Sequence, residues 1–225
     1  MRILTHFSEK LPSDPAERFS ALEKQGFVPL YTLYQEHTDR VVEINTPFVP
    51  PVPEAMMSEQ AHGDAIVTNQ PGFFIGVKTA DCVPILLWNE RASVIGAVHA
   101  GWRGTALGIA EKAVAVMQDK FVAGKISAKI GACICPDCFV THADVPDSMP
   151  EWANDYIRPA GGGRFKVDLP GINRLWLAKA GVGDIAGPEC CTSCNHEIYW
   201  SHRQHGKERG LQINLIGILD DSPAF

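Results

Sequence analysis

Two largely apolar runs, Val83 to Trp88 and Ser93 to His99, flank the polar cluster Asn89, Glu90, Arg91 and Ala92. Runs of this length around a four-residue break predict a β-hairpin. Pairing Trp88 with Ser93 sets Cys82 opposite His99 at the open end, where directly opposed side chains have Cβ atoms about 4.5–5.5 Å apart. A thiolate and an imidazole at that spacing could share a metal ion or act as nucleophile and base.

The same reading extends along the chain. Residues 2–5 predict a short strand, and "SDPAERFSALEKQG" a helix capped by Ser13, with Phe19 and Leu22 inward and Gly26 as its stop. Phe27 to Tyr34 and Arg40 to Ile44 predict strands that deliver Gln35, Glu36 and His37 into the loop between them. From Asn45 to Gln60, prolines at 47, 50, 51 and 53 remove backbone donors and predict a surface excursion. Ala65 to Thr68 and Phe73 to Lys78 are expected as short buried strands around the turn Asn69-Gln70-Pro71-Gly72.

In "GTALGIAEKAVAVMQDK", Ala106, Ile109, Ala110, Ala113, Val114, Val116 and Met117 fall at helical spacing and predict one amphipathic helix. Gly101 and Gly104 open a loop before it. Arg103 would then sit at a helix N-terminus, where N–H groups and the helix dipole favour an anion. Ala128 to Cys133 predicts a strand, Met149 to Ile157 a short helix, and Gly161 to Gly163 a flexible break. "DLPGINRLWLAKAG" predicts a helix, and Ile198 to Ser201 and Leu211 to Leu219 the last strands around a basic loop. Adjacent strand pairs with interspersed helices point to an α+β fold, mixed β-sheets flanked by helices, in a single domain over residues 1–225.

Charge and composition narrow the function. Against 26 acidic residues stand 20 Lys and Arg, a formal charge of −6, so no basic field argues for nucleic acid or an anionic membrane. No apolar run approaches the roughly 20 residues a membrane helix needs. The start "MRILTHFSEKLPSD" has no apolar signal core, which predicts a cytoplasmic setting. Seven cysteines are expected there as thiols or metal ligands. Nothing in the pattern fixes an oligomeric state.

The leading site is Cys82 with His99 and a third ligand. His37 and His62 both qualify, and spacing alone does not choose between them. A catalytic zinc has three protein ligands and an open position, which such a set would supply. Two other readings stand beside this one: a Cys–His hydrolase with Cys82 as nucleophile, and a small core thiol packed beside an imidazole. Downstream, "CPDC" at 135–138 and "CTSC" at 191–194 are the ingredients of a four-thiolate zinc site or a reversible disulfide. With Cys133 and Cys190, six of the seven cysteines lie in these two clusters. In "YWSHRQHGKERG", Arg203 could join Arg103 in holding an anionic substrate. Asp81, beside Cys82, would orient a ligand, relay a proton or cap the tight turn before the strand.

"TADCVPILL", "AVHAGWRGTALGI", "GACICPDCF" and "CCTSCNHEIYWSHR", with "QEH" upstream, resemble the laccase-domain family, older name multicopper polyphenol oxidoreductase. Its members are described as purine nucleoside phosphorylases with adenosine deaminase activity, and one branch as a peptidoglycan editing factor. The resemblance implies a metal set of His37, Cys82 and His99, preferring His37 to His62, and substrate contacts from Arg103 and Arg203, with Cys82, Asp81 and Arg103 in catalysis. It implies zinc, or alternatively copper, and small-molecule partners: a purine nucleoside and phosphate. The chain departs from the family at Gln204, at Arg209-Gly210, at Cys135 and Cys194, and near its start, where "LTHFSEK" stands in place of an arginine-bearing motif. Two further functions stay open: copper-dependent oxidation of phenols, and a Cys82-based hydrolase in peptidoglycan precursor editing. A non-catalytic binding role for the cysteine-rich surface is a third.

Overall fold

The computed structural model describes residues 2–47, 57–89 and 94–219. In chain order the elements are strand β1 (Arg2–Phe7), helix α1 (Pro15–Lys24), and strands β2 (Leu30–Tyr34), β3 (Val41–Ile44), β4 (Met57–His62), β5 (Ala65–Thr68), β6 (Phe74–Thr79), β7 (Val83–Asn89) and β8 (Val94–Ala100). Helices α2 (Trp102–Ala106) and α3 (Ile109–Phe121) follow, then β9 (Ser127–Ile130), β10 (Val140–Thr141), β11 (Ile157–Gly161), β12 (Arg164–Val167) and α4 (Leu169–Lys179). Strand β13 (Asp184–Ala186), the short helix α5 (His202–His205) and strand β14 (Gln212–Leu219) are the last elements among the described residues.

Two mixed sheets form the centre: a five-stranded one in the order β1-β14-β6-β2-β4 and a six-stranded one in the order β13-β9-β7-β8-β5-β3. A core of Leu33, Ile66, Ile75, Val77, Leu86, Ile95, Ala97 and Ile216 draws on both sheets and fills the space between them. On the outer face of the six-stranded sheet, Val83, Ile85, Leu87 and Val98 pack with Ile109, Ala113, Met117 and Ile172 from α3 and α4. Leu22 of α1 packs with Leu30, Phe74 and Leu215 on the outer face of the other sheet. The architecture is α+β, with strands between helices. Every residue of β8 is buried, which explains its unbroken apolar pattern: alternate residues face different cores, but neither face meets water.

The hairpin β7–β8 forms, with a register displaced from the expected one. Asn89 pairs with Val94, and Pro84, rather than Cys82, faces His99. The connecting residues 90–93 lie outside the described residues. A displacement of two positions preserves the side-chain face, because strand side chains alternate with period two. Cys82 therefore stays on the His99 side, as a diagonal neighbour just before the strand.

Other expectations change in detail. The cap of α1 is Asp14, whose Oδ1 accepts from the N–H groups of Ala16 and Glu17 at 2.9 and 3.0 Å; Pro15 starts the helix one position later than a Ser13 cap would. The helix after the hairpin is broken in two. Gly108 takes a left-handed φ of 73°, and a Cβ there would meet the Trp176 ring at 3.2 Å, so α2 stops and α3 starts afresh. Ile198 to Ser201 is turn, since the Asn195 carbonyl accepts from the N–H groups of Ile198 and Tyr199. Met149 to Ile157 gives a 3₁₀ turn, Glu151–Tyr156. The Pro-rich stretch lies largely outside the described residues, and its last four positions belong to β4. The small sheet β10-β12-β11 had no counterpart in the sequence reading.

Candidate active site

His37, Cys82 and His99 converge, with one ligating atom from each lying within 4.8 Å of the others. Cys82 Sγ is 3.9 Å from His37 Nε2, and the two imidazoles meet edge to face with centroids 4.9 Å apart. Tetrahedral zinc with ordinary Zn–S and Zn–N bonds separates sulfur and nitrogen by about 3.6 Å. The Cys82–His37 pair is a few tenths of an ångström wider than that.

Asp64, which the sequence reading passed over, builds this site. It is fully buried. Its carboxylate accepts from the N–H groups of Glu36, His37 and Thr38 at 3.3, 3.0 and 2.7 Å, and from the Thr38 hydroxyl at 2.7 Å. It also accepts from His99 Nδ1 at 2.8 Å. One side chain thus fixes two arms. It holds His37 at a left-handed φ of 61°, a conformation uncommon outside glycine, and it commits His99 Nδ1 so that Nε2 is left to face Cys82. Burial raises the Asp64 carboxyl, but hydrogen bonds from His99 and Thr38 outweigh it and hold the group down at about 2. A cue existed: Gly63-Asp64 stands directly before the fully buried β5, and a carboxylate there must find donors.

Gln35 supports the same loop. Its side-chain amide donates to the Lys78 carbonyl at 2.8 Å and its oxygen accepts from the Lys78 N–H at 2.7 Å, continuing the β2–β6 contact by one side chain. Gly101 closes the other side, since a Cβ there would fall 2.8 Å from His37 Cδ2 and 3.2 Å from Cys82 Sγ. His62 lies outside the cluster. It stacks on Tyr34 with centroids 5.1 Å apart and faces the Glu36 carboxylate at 3.2 Å.

The electrostatics favour ionised ligands. Burial raises the Cys82 thiol, yet the neighbouring His99 and His37 imidazoles outweigh it and bring it down to about 6. Burial lowers His99, while Cys82 and Asp64 more than compensate and raise it to about 9. A divalent cation held here would take the place of the imidazole proton and satisfy the same thiolate. The donor set, its held orientation and its charge all fit a metal ion.

A cavity of about 340 Å³ opens on the cluster, lined by His37, Asp81, Cys82, Arg103, Phe139 and Arg203 among others. A second, of about 210 Å³, reaches His37, Cys82 and His99 from the Lys78 side, and Arg209 borders both. Arg103 and Arg203 thus share the first cavity, and the helix that starts at Trp102 is short. Arg103 lies within the five-residue α2, with its guanidinium stacked 4.1 Å over Trp102. Arg203 donates to the Val140 carbonyl at 3.1 Å. Asp81, at a left-handed φ of 89°, accepts from the Thr192 hydroxyl and from the Arg203 N–H, both at 2.7 Å. It ties the Cys82 turn to two later loops.

Fold and site together define an α+β protein with a His-Cys-His cluster at the open end of a buried hairpin. Solved structures share the fold: a Bacillus licheniformis protein titled hypothetical protein YfiH superposes with a TM-score of 0.84 at 23% identity, over 96% of this chain and 92% of that one. YlmD from Geobacillus stearothermophilus gives 0.80 at 26% identity, over 97% and 91%. The chain belongs to the family described as multi-copper polyphenol oxidoreductase laccase, which matches residues 14–219. Relatives carry enzyme names. A protein named adenosine deaminase RL5, from an unknown prokaryotic organism, is 36% identical over 68% of this chain and 61% of its own length. The purine nucleoside phosphorylase YlmD of Geobacillus stearothermophilus is 36% identical over 68% and 59%. Another, from Aquifex aeolicus, is 31% identical over 88% and 86%. The chain thus spans about 60% of the length of the first two relatives.

Proposed function

We propose that this chain is a zinc-dependent purine nucleoside phosphorylase that also deaminates adenosine. The observation that carries the reading is the convergence of His37, Cys82 and His99 at a cleft bordered by Arg103, Arg203 and Arg209, in a family whose relatives bear those names. Zinc bound by the three side chains would supply Lewis acidity, polarising a substrate oxygen or lowering the pKa of water. Asp64 sets the His99 tautomer, and Gly101 leaves room for the His37 ring.

In phosphorolysis a phosphate oxygen attacks C1′ of the ribose while the bond to the base nitrogen breaks. The arginines hold the phosphate with planar, charge-assisted donors and bring it in line with C1′. In deamination a water oxygen adds at C6 of adenine and ammonia leaves. Asp81 acts as a positioning residue, since both of its oxygens are already engaged by Thr192 and Arg203. Oxidation of phenols at several coppers asks for more imidazoles than these residues gather: among the described residues, the other cluster of at least three ligating side chains is made of cysteines alone.

The depressed Cys82 thiol favours one competitor, a thiolate nucleophile acting in a hydrolase. Incubation with adenosine and phosphate, with zinc measured on the same sample, separates the two. Release of adenine, inosine or hypoxanthine that stops on chelation and returns with zinc supports the proposal. Metal-free protein that is fully active and is inactivated by alkylation of Cys82 overturns it.

A further inference from the structure

The downstream cysteines form a second cluster that the proposed reaction does not use. We propose that Cys135, Cys138, Cys191 and Cys194 hold a structural zinc ion as a tetrathiolate. The site is independent of the nucleoside reading. The four Sγ atoms all lie within 4.8 Å of one another, although the pairs are far apart in sequence, and Cys138 and Cys194 approach to 3.4 Å. Tetrahedral zinc with four ordinary Zn–S bonds places its sulfurs about 3.8 Å apart. A disulfide needs only one pair in contact; mutual proximity of four is the requirement of a shared ion.

The backbone is arranged for thiolates. Cys135 opens a turn whose carbonyl accepts from the N–H groups of Cys138 and Phe139 at 3.1 and 2.9 Å. Cys191 is held by a matching turn, its carbonyl accepting from the Asn195 N–H at 3.0 Å. Its Sγ in turn accepts from the N–H groups of Cys135 at 3.2 Å and Cys194 at 3.4 Å, so each C-x-x-C segment donates to the same sulfur. Positive N–H dipoles aimed at sulfur stabilise charge there.

The remaining cysteines of the two segments stand outside the cluster: Cys133 is a buried core thiol, and Cys190 is not among the four.

The ion would clasp two loops that border the cavity at the first cluster. Between them, residues 133–139 contribute Ile134 and Phe139 to its wall, and 191–195 carry Thr192, whose hydroxyl holds Asp81 beside Cys82. The backbones of the two loops already pair in a single parallel β-bridge at residues 133 and 191, with the Thr192 N–H donating to the Cys133 carbonyl at 3.1 Å. No cluster cysteine lines the cavity at the first cluster; Cys135 and Cys191 border a separate cavity of about 410 Å³, so the clasp lies apart from the proposed reaction site.

The test is metal stoichiometry on the whole protein. Elemental analysis and native mass spectrometry of protein expressed with zinc should find two ions per chain, falling to one in Cys194→Ser and in Cys138→Ser. Cobalt(II) reconstitution should give intense thiolate-to-metal charge-transfer absorption that falls in both variants to the weaker band of the single Cys82 thiolate. Should the variants misfold, organomercurial titration of the unmodified protein should release zinc in step with modification of four thiols. One zinc per chain in the wild type, unchanged in Cys194→Ser, overturns the proposal. So does a disulfide between Cys138 and Cys194 in protein purified anaerobically.

Discussion

The two proposed metal sites differ in the way that separates working metal centres from stapling ones. His37, Cys82 and His99 are three mixed donors at strand ends and an adjoining loop, and they open on a cleft. The four cysteines are soft, identical donors on two turns, and they leave no position free. Open three-ligand sets of nitrogen and sulfur perform chemistry, whereas closed thiolate sets contribute folding energy. The surroundings differ to match. The first cluster is oriented by a buried carboxylate, Asp64, on its histidines; the second by backbone N–H groups on its sulfur. An imidazole needs its tautomer chosen. A thiolate needs only its charge satisfied.

Variants of the two sites should therefore separate. The largest effect is expected for Cys82→Ala or His99→Ala, each of which should lower the initial rate of adenosine consumption by about 10³-fold or more, the loss of several kcal/mol of transition-state stabilisation. Cys194→Ser should keep that rate within about tenfold, because its sulfur does not line the cleft. An equal loss in Cys194→Ser would erase the distinction between the clusters.

Next comes Asp64→Asn. With the carboxylate gone, His99 Nδ1 faces a neutral amide in place of a charged acceptor, and zinc affinity at the first site should fall about 10–100-fold in competition titrations with a chelator. The second zinc should be retained. An unchanged affinity would show that Asp64 serves only the fold.

Gly101→Ala should weaken the same site by a smaller factor, about tenfold, since the added methyl would sit 2.8 Å from His37 Cδ2 and force that ring aside. Competition titration against the wild type measures it, and the thermal midpoint should shift less than for a core truncation. The smallest change is expected for His62→Ala. Its ring stacks on exposed Tyr34 away from the cluster, so metal content and rate should stay within about twofold, as surface substitutions usually do.

Much of this was legible in the chain. The hairpin was, because two apolar runs around a polar break leave few alternatives, and with it the presence of Cys82 and His99 on one face. Its register was not. Only the Asn89–Val94 closure decides which residue faces His99, and Trp88 opposite Ser93 is an equally acceptable pairing by composition. The break at Gly108 carried its glycine as a signal, but the Trp176 ring that presses on it comes from a helix far along the sequence.

The sequence by itself determined the ingredients: the apolar runs that become two sheets with covered outer faces, the thiol and imidazoles with their donor chemistry, and two C-x-x-C turns. Those depend on local pattern and residue type. Tertiary structure alone decided which ingredients meet. His37 reaches Cys82 because Gln35 grips Lys78 and Asp64 gathers three backbone N–H groups with His99. The two cysteine pairs reach one another because residue 133 bridges residue 191. Contacts between distant segments depend on how sheets stack and loops close, and no local pattern encodes those distances.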